Sequence, residues 1–252
     1  MPTPRNHTTT RRTATTMPIN PPTSAPAERD GGGSALLHLL HLVSPALPIG
    51  GFAYSQGLEY AIDSGWIGDH AELEQWIGGV LSHGLARVEL PLLLRFAQAY
   101  QQPDPAAVQY WNRWLLANRE TKELLFEDQQ LGLALRKLLR SLAVIDGTDE
   151  LPQQPTYASQ FARAALHFGV GRREMLSGFA WSWLENQIAV AGKTLPLGQT
   201  AAQQLLMRLL PGIDQAVATA LSLADDDLGA TLPGVAIAST LHETQYSRLF
   251  RS

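Results

Sequence analysis

Residues 44 to 57 read Ser44-Pro45-Ala46-Leu47-Pro48-Ile49-Gly50-Gly51-Phe52-Ala53-Tyr54-Ser55-Gln56-Gly57, a turn-rich segment between two strongly helical stretches. The segment is too apolar for a solvent loop. Two prolines remove backbone donors and fix φ, while Gly50-Gly51 permits close backbone approach or positive φ. It is expected to bend sharply and turn Leu47, Ile49, Phe52 and Tyr54 inward. Pro48, Gly50, Gly51 and Tyr54 then form a structural corner that sets the first helix against the remainder. A phosphate-cradling loop would need Gly-x-x-x-x-Gly-Lys-Ser/Thr after a strand, and neither is present.

Upstream of the corner, Ser34 is positioned to cap a helix through Ala35 to Val43, which Pro45 stops. Its apolar run predicts near-complete burial. His38 and His41, at i,i+3, could ligate a metal from one face, but no third ligand lies nearby, so hydrogen-bonded helix histidines are the plainer reading. Residues 1 to 34 are dominated by Thr, Pro, Arg and Gly and are expected to be a disordered tail. The arginines, with no acid before Glu28, faintly suggest a transit peptide, but six prolines argue against an amphipathic helix.

Downstream, Ser55 to Asp63 predicts a short helix closed by Gly65, and Asp69-x-x-Glu72 forms a capping box for a longer one. Gly78, Gly79 and Gly84 in that helix suggest close helix contact, and Pro91 predicts a kink. Asp104-Pro105 opens a stretch expected to run to about Val144, with the polar patch Asn118 to Glu123 read as a solvated face or an inter-helix salt network. Thr156 caps Tyr157 to Phe168, ended by Gly169, and Arg172 to Ala191 follows. Pro211-Gly212 is expected to divide Gln199 to Leu210 from Ile213 to Ala224, before a last helix over Gly234 to Glu243. No convincing alternating segment occurs, so the chain predicts an all-α, single-domain bundle of about 8 to 10 helices with no significant β-sheet. The divisions are a tail over 1 to 34, a helical domain over 35 to 243 and a C-terminal segment over 244 to 252.

Composition narrows the function. Forty-five per cent of the 252 residues are hydrophobic and only 17% are charged, enough for a large core and consistent with apolar surface covered by a partner. The absence of cysteine excludes disulfides, thiolate metal sites and cysteine nucleophiles. Beyond residue 34 the chain holds 15 basic and 21 acidic residues, which disfavours nucleic acid as a partner. No uninterrupted apolar run reaches the roughly 18 residues of a spanning helix, so a soluble, cytoplasmic protein with no membrane association is expected. Gly192-Lys193-Thr194 lacks the upstream glycine of a Walker motif, Asp225-Asp226-Asp227 lacks Asp-Asp-x-x-Asp spacing, and His242-Glu243 has Tyr246 where a zincin needs histidine. The C-terminal Thr244-Gln245-Tyr246-Ser247-Arg248-Leu249-Phe250-Arg251-Ser252 carries large apolar residues where chains normally fray, and it calls for a cover.

Several stretches together resemble the UreF family of urease accessory proteins. They are Ser44 to Gly57 continued by Leu58-Glu59, Glu185-Asn186-Gln187 with Pro196-Leu197-Gly198-Gln199, and His242 to Ser252, joined by Arg119-Glu120-Thr121. The likeness covers about residues 35 to 252 in the family's order; Ala53 stands where serine is usual, and the N-terminal tail lies outside the pattern. The resemblance implies an all-helical, homodimeric, non-catalytic scaffold without a cofactor. It would join a UreD/UreH-type accessory protein and the UreG GTPase to apo-urease during nickel delivery. On that basis Tyr246, Arg248, Leu249, Phe250 and Arg251, with Arg119 and Glu120, are the expected partner-binding residues. The C-terminal segment is expected to be loosely held until a partner orders it. The competing readings are a helical metal-dependent enzyme using Asp225 to Asp227 and a nickel metallochaperone using His38 and His41.

Overall fold

The computed structural model describes Met1, residues 31–146 and residues 152–252. The tail expected over the first 34 residues therefore lies outside the described residues except at Met1 and at its junction with α1 (Gly31–Leu42). That helix begins before Ser34, whose hydroxyl faces His38 Nδ1 at 3.3 Å rather than capping the helix.

Among the described residues every regular element is helical: α1, α2 (Leu58–Asp63), α3 (His70–Gly79), α4 (Glu89–Gln101), α5 (Pro105–Ala117), α6 (Lys122–Ser141), α7 (Tyr157–His167), α8 (Arg172–Thr194), α9 (Gln199–Ser222) and α10 (Pro233–His242). The starts follow local chemistry. Asp69 accepts from the amides of Ala71 and Glu72 at 2.8 and 2.9 Å, Asp104 from Ala107 at 3.0 Å and Thr156 from Ser159 at 3.2 Å, each satisfying an orphan donor of the first turn. Glu72 returns its bond to Gly68, one residue before the cap.

α4 is the axis of the body. Leu90, Leu92, Leu93, Phe96, Ala97 and Ala99 are buried around its circumference, and α5, α7, α8 and α9 pack against it. The His70–Gln101 rod is long and apolar enough to cross a membrane by length and composition, but 61% of its most apolar stretch is buried inside the body, as a core helix requires.

Several sequence expectations are corrected. The α-helical run is interrupted not at Pro91 but by a π-helical turn over Val80–Leu85 and the turn at residues 86–88; Pro91 lies in the first turn of α4, where its missing N–H has no intrahelical partner to lose. Within this stretch, a Cβ on Gly84 would come within 2.8 Å of Leu232, whereas Gly79 faces open space. The expected continuous helix from Pro105 breaks at Asn118, whose side-chain amide donates to Trp114 O at 2.8 Å, and Thr121 caps a new helix. Pro211 and Gly212, read as a turn, lie within the continuous α9, because Leu205, Leu209, Ile213, Ala216 and Ala220 make one buried stripe across them. α1 is only half covered. Leu39, Leu42 and Val43 face the body, while Leu36, Leu37 and Leu40 are 57%, 68% and 54% exposed, because α1 meets α7 and α8 along one side only.

Candidate partner-docking face

The corner between α1 and α2 folds through hydrogen bonds of its own: Leu47 N donates to Ser44 O at 2.9 Å, and Ala46 N to Ser44 Oγ at 3.2 Å. Positive φ falls at Gly50 (81°) and not at Gly51, which opens the 3-10 turn Gly51–Ala53. Leu47 and Tyr54 are buried as expected; Ile49 and Phe52 are half-buried. Pro48 is exposed.

The residue after this turn that organises the region is Gln56, itself at φ 56°. Trp183 Nε1 donates to its Oε1 at 2.8 Å, and its Nε2 donates to Glu127 Oε1 at 2.8 Å. An indole nitrogen can only donate, so Trp183 on α8 fixes which way the Gln56 amide faces. Beside it, Asn186 Nδ2 donates to Tyr54 O at 3.0 Å, so α8 holds the corner at two points.

On this frame lies the C-terminal segment, and here the expectation of a loosely held tail is corrected. Leu249 N and Phe250 N donate to the two oxygens of Glu59 at 2.6 and 3.1 Å, and Arg251 N donates to Ala53 O at 2.7 Å. Ser252 O receives the amides of Ser55 and Gln56, while Ser252 Oγ donates to Glu127 Oε2 at 3.1 Å. Phe250 is 6% exposed, with Lys193 Nζ 5.1 Å from its ring centroid. The backbone explains the difference: the segment's amides meet buried acceptors, which apolar pattern alone does not reveal. Arg248 donates to Glu123 Oε1 at 2.7 Å. Burial raises the pKa of Tyr54, against the lowering effect of the nearby Arg251 charge. Tyr246 and Leu249 remain outside, 105% and 68% exposed, on the outer surface of a segment fixed from below.

Arg119 and Glu120 do not join this segment. Arg119 bridges Glu89 at 2.5 Å and Asp128 at 2.7 Å, and the other oxygen of Asp128 accepts the amide of Tyr157 at 2.7 Å. Burial by itself would lower the pKa of this guanidinium, but Asp128 and Glu89 hold it above the ordinary arginine value. Arg119 is thus the salt network that its polar patch allowed, and Glu120 is exposed. Both line a cleft of about 170 Å³ shared with Leu47, Ile49, Phe52 and Gln56.

The residues that sequence reading missed are Glu59, Glu123, Glu127 and His242. Glu59 is 3% and Glu127 5% exposed; the only hint was a carboxylate on an otherwise apolar turn, Leu58-Glu59-Tyr60-Ala61. Burial pushes the Glu127 carboxyl up to about 7, against the lowering effect of Gln56, Arg119 and Ser252. Of the rejected metal readings, Asp225 is tied to Arg95 at 2.8 Å, and His38 stacks on Phe168 with centroids 4.2 Å apart. Among the described residues no group of three or more His, Asp or Glu could hold a metal.

Together these features define a helical body closed by its own C-terminal segment, with its polar groups spent on holding elements together. The UreF family model matches residues 67–210. The chain is 57% identical to the urease accessory protein UreF of Chromohalobacter salexigens over 218 residues, 86% of this chain and 95% of that protein. It is 54% identical to that of Marinobacter nauticus over 91% of this chain and 99% of the relative, and 52% identical to that of Teredinibacter turnerae over 86% and 98%. The chain belongs to the UreF family, and a role in urease maturation follows from that membership.

Proposed function

We propose that the protein is a non-catalytic scaffold, working as a cytoplasmic homodimer, that links a UreD/UreH-type accessory protein and the UreG GTPase to apo-urease during nickel insertion. The observation that carries the reading is the outer surface of the C-terminal segment. Tyr246 is fully displayed beside Leu249, and Arg248 and Arg251 flank them while their backbone is anchored below. An aromatic and an aliphatic side chain next to arginines, held on a fixed backbone, have the composition of a protein-binding hot spot and lose little entropy on docking. The UreD/UreH-type protein is assigned to this face. The exposed Leu36, Leu37 and Leu40 of α1 support apolar contact with a second copy, and Glu120 at the open cleft is offered to the remaining partners.

The test is the pair Tyr246→Ala and Leu249→Ala in the full chain, co-expressed with the urease accessory proteins. Helicity and melting are expected to be unchanged, while co-purification with the UreD/UreH-type protein and urease activation are lost. Retention of wild-type pull-down by the double variant removes the assignment of this face. The purified chain is expected to show no turnover and no tight nickel binding by calorimetry.

A further inference from the structure

Away from the C-terminal segment, the end of α4, the start of α5, the end of α7 and the stretch after α6 enclose a cavity of about 390 Å³, within the size range of small-molecule sites. It shares no lining residue with the cleft at Arg119. Its floor is apolar and buried at Ala99, Val108 and Ile145, and its rim is exposed at Pro103 and Pro105. The walls are fixed by the chain itself: Asp104 N donates to Ala99 O and Val144 N to Leu139 O, both at 2.9 Å, and the two prolines set φ on either side of Asp104. Among the described lining residues the permanent cation is Arg163 on α7, half-buried, with its guanidinium carbon 5.4 Å from the centroid of the Tyr100 ring. We propose that this cavity binds a small amphipathic carboxylate, whose hydrocarbon body lies on the apolar floor and whose carboxylate meets Arg163.

The charge around the cavity selects the ligand. Among the described residues that line it, the ionisable groups are Tyr100, Asp104, Arg163 and His167. Asp104, the only acid of the four, accepts the amide of Ala107 at 3.0 Å as the cap of α5 and stands exposed at the rim. The guanidinium is in a different position: burial lowers the pKa of Arg163, Tyr100 opposes that effect, and the neighbouring charge of Arg140 adds to the lowering. An anion beside it restores the balance in favour of the charged form. A wholly apolar ligand would press hydrocarbon against a charge, and a phosphate dianion would lay its charge on an apolar floor that offers no donors, so both fit less well. A carboxylate matches the planar fork of a single arginine two bonds at a time, which leaves the rest of the molecule free to be hydrocarbon. None of these residues belongs to the C-terminal segment, so the site stands or falls apart from the docking face.

Isothermal calorimetry of the purified full chain tests the site, with phenylpropionate as the probe, phenylpropanol as its uncharged counterpart and acetate as the charge without the body. Saturable one-to-one binding of phenylpropionate is expected, with affinity about tenfold or more lower for the alcohol, the equivalent of one hydrogen bond to a charged group, and no binding of acetate at the same concentrations. Arg163→Gln is expected to weaken the acid about tenfold and to leave the alcohol unchanged. Val144→Trp, at a half-buried position of the wall, is expected to weaken both. Absence of saturable binding by the acid, equal affinity for acid and alcohol, or acetate binding as tightly as the acid overturns the proposal. So does an acid affinity that survives Arg163→Gln in a chain of wild-type melting temperature. Should Arg163→Gln fail to fold, Val144→Trp decides, because unchanged acid binding there places the ligand elsewhere. His167→Gln is expected to change the acid affinity less than about threefold; a tenfold loss there would move the carboxylate to His167 and refute the role of Arg163.

Discussion

Glu127 shows how a single side chain sets a pH dependence. Its folded-state pKa, about 7, lies above the ordinary glutamate value of 4.5, so the folded state favours the protonated form. Stability from this group is therefore greatest below about pH 4.5 and is lost as pH rises to about 7, by roughly 3 kcal/mol at most. Glu127→Gln should raise the denaturation midpoint at pH 8 and change it little near pH 4.5, because a neutral amide still accepts from Gln56 and can donate to Ser252. Equal effects at both pH values would contradict this origin. The glycines give a second residue-scale expectation. Gly57 has φ 81° and a Cβ there would come within 2.8 Å of Ser239 N on α10, whereas Gly51 has nothing within 4 Å. Gly57→Ala should cost about 2 to 3 kcal/mol in chemical denaturation and Gly51→Ala less than about 0.5 kcal/mol.

At the scale of elements, what was legible in the sequence was local. Asp69, Asp104 and Thr156 mark helix starts through bonds to residues two or three positions away, so pattern sufficed. Pro211 misled because its effect depends on whether the flanking residues share a buried face, which is a tertiary fact. It removes the bond to the carbonyl of Met207 and is tolerated because α9 is pinned by Leu205, Leu209, Ile213 and Ala216. Pro211→Ala should accordingly stabilise the protein by about 1 to 3 kcal/mol, measured by urea unfolding; a lower midpoint would mean that the proline geometry is itself required. The exposed side of α1 was illegible for the complementary reason, since an apolar run states what a helix could bury and not whether a neighbour exists to bury it. In the candidate site, Tyr246, Leu249 and Phe250 stood out as needing a cover, but the cover of Phe250 depends on Glu59, 191 residues away along the chain.

For the whole molecule, residues 244–252 are part of the fold as well as a displayed surface. Truncation after Glu243 removes Arg248 from the half-buried Glu123, two amides from Glu59 and the hydroxyl from Glu127, leaving two buried carboxylates short of donors. The shortened chain should melt measurably lower, and loss of partner binding there would not separate a missing contact from a loosened body; the outward substitutions Tyr246→Ala and Leu249→Ala make that separation. An unchanged melting temperature on truncation would show that the segment contributes nothing to the body. The clasp also bears on how the chain is made. Synthesis runs from α1 toward α10, so the surface formed by α2, α6 and the corner emerges long before the residues that close it. During that interval Glu59, Glu123 and Glu127 face water and the site of Phe250 stands open on the nascent chain. Docking of residues 248–252 thus comes after the surface that receives them has been made, and a chain stalled before Arg248 presents that uncovered apolar seat to whatever chaperone or protease reaches it first.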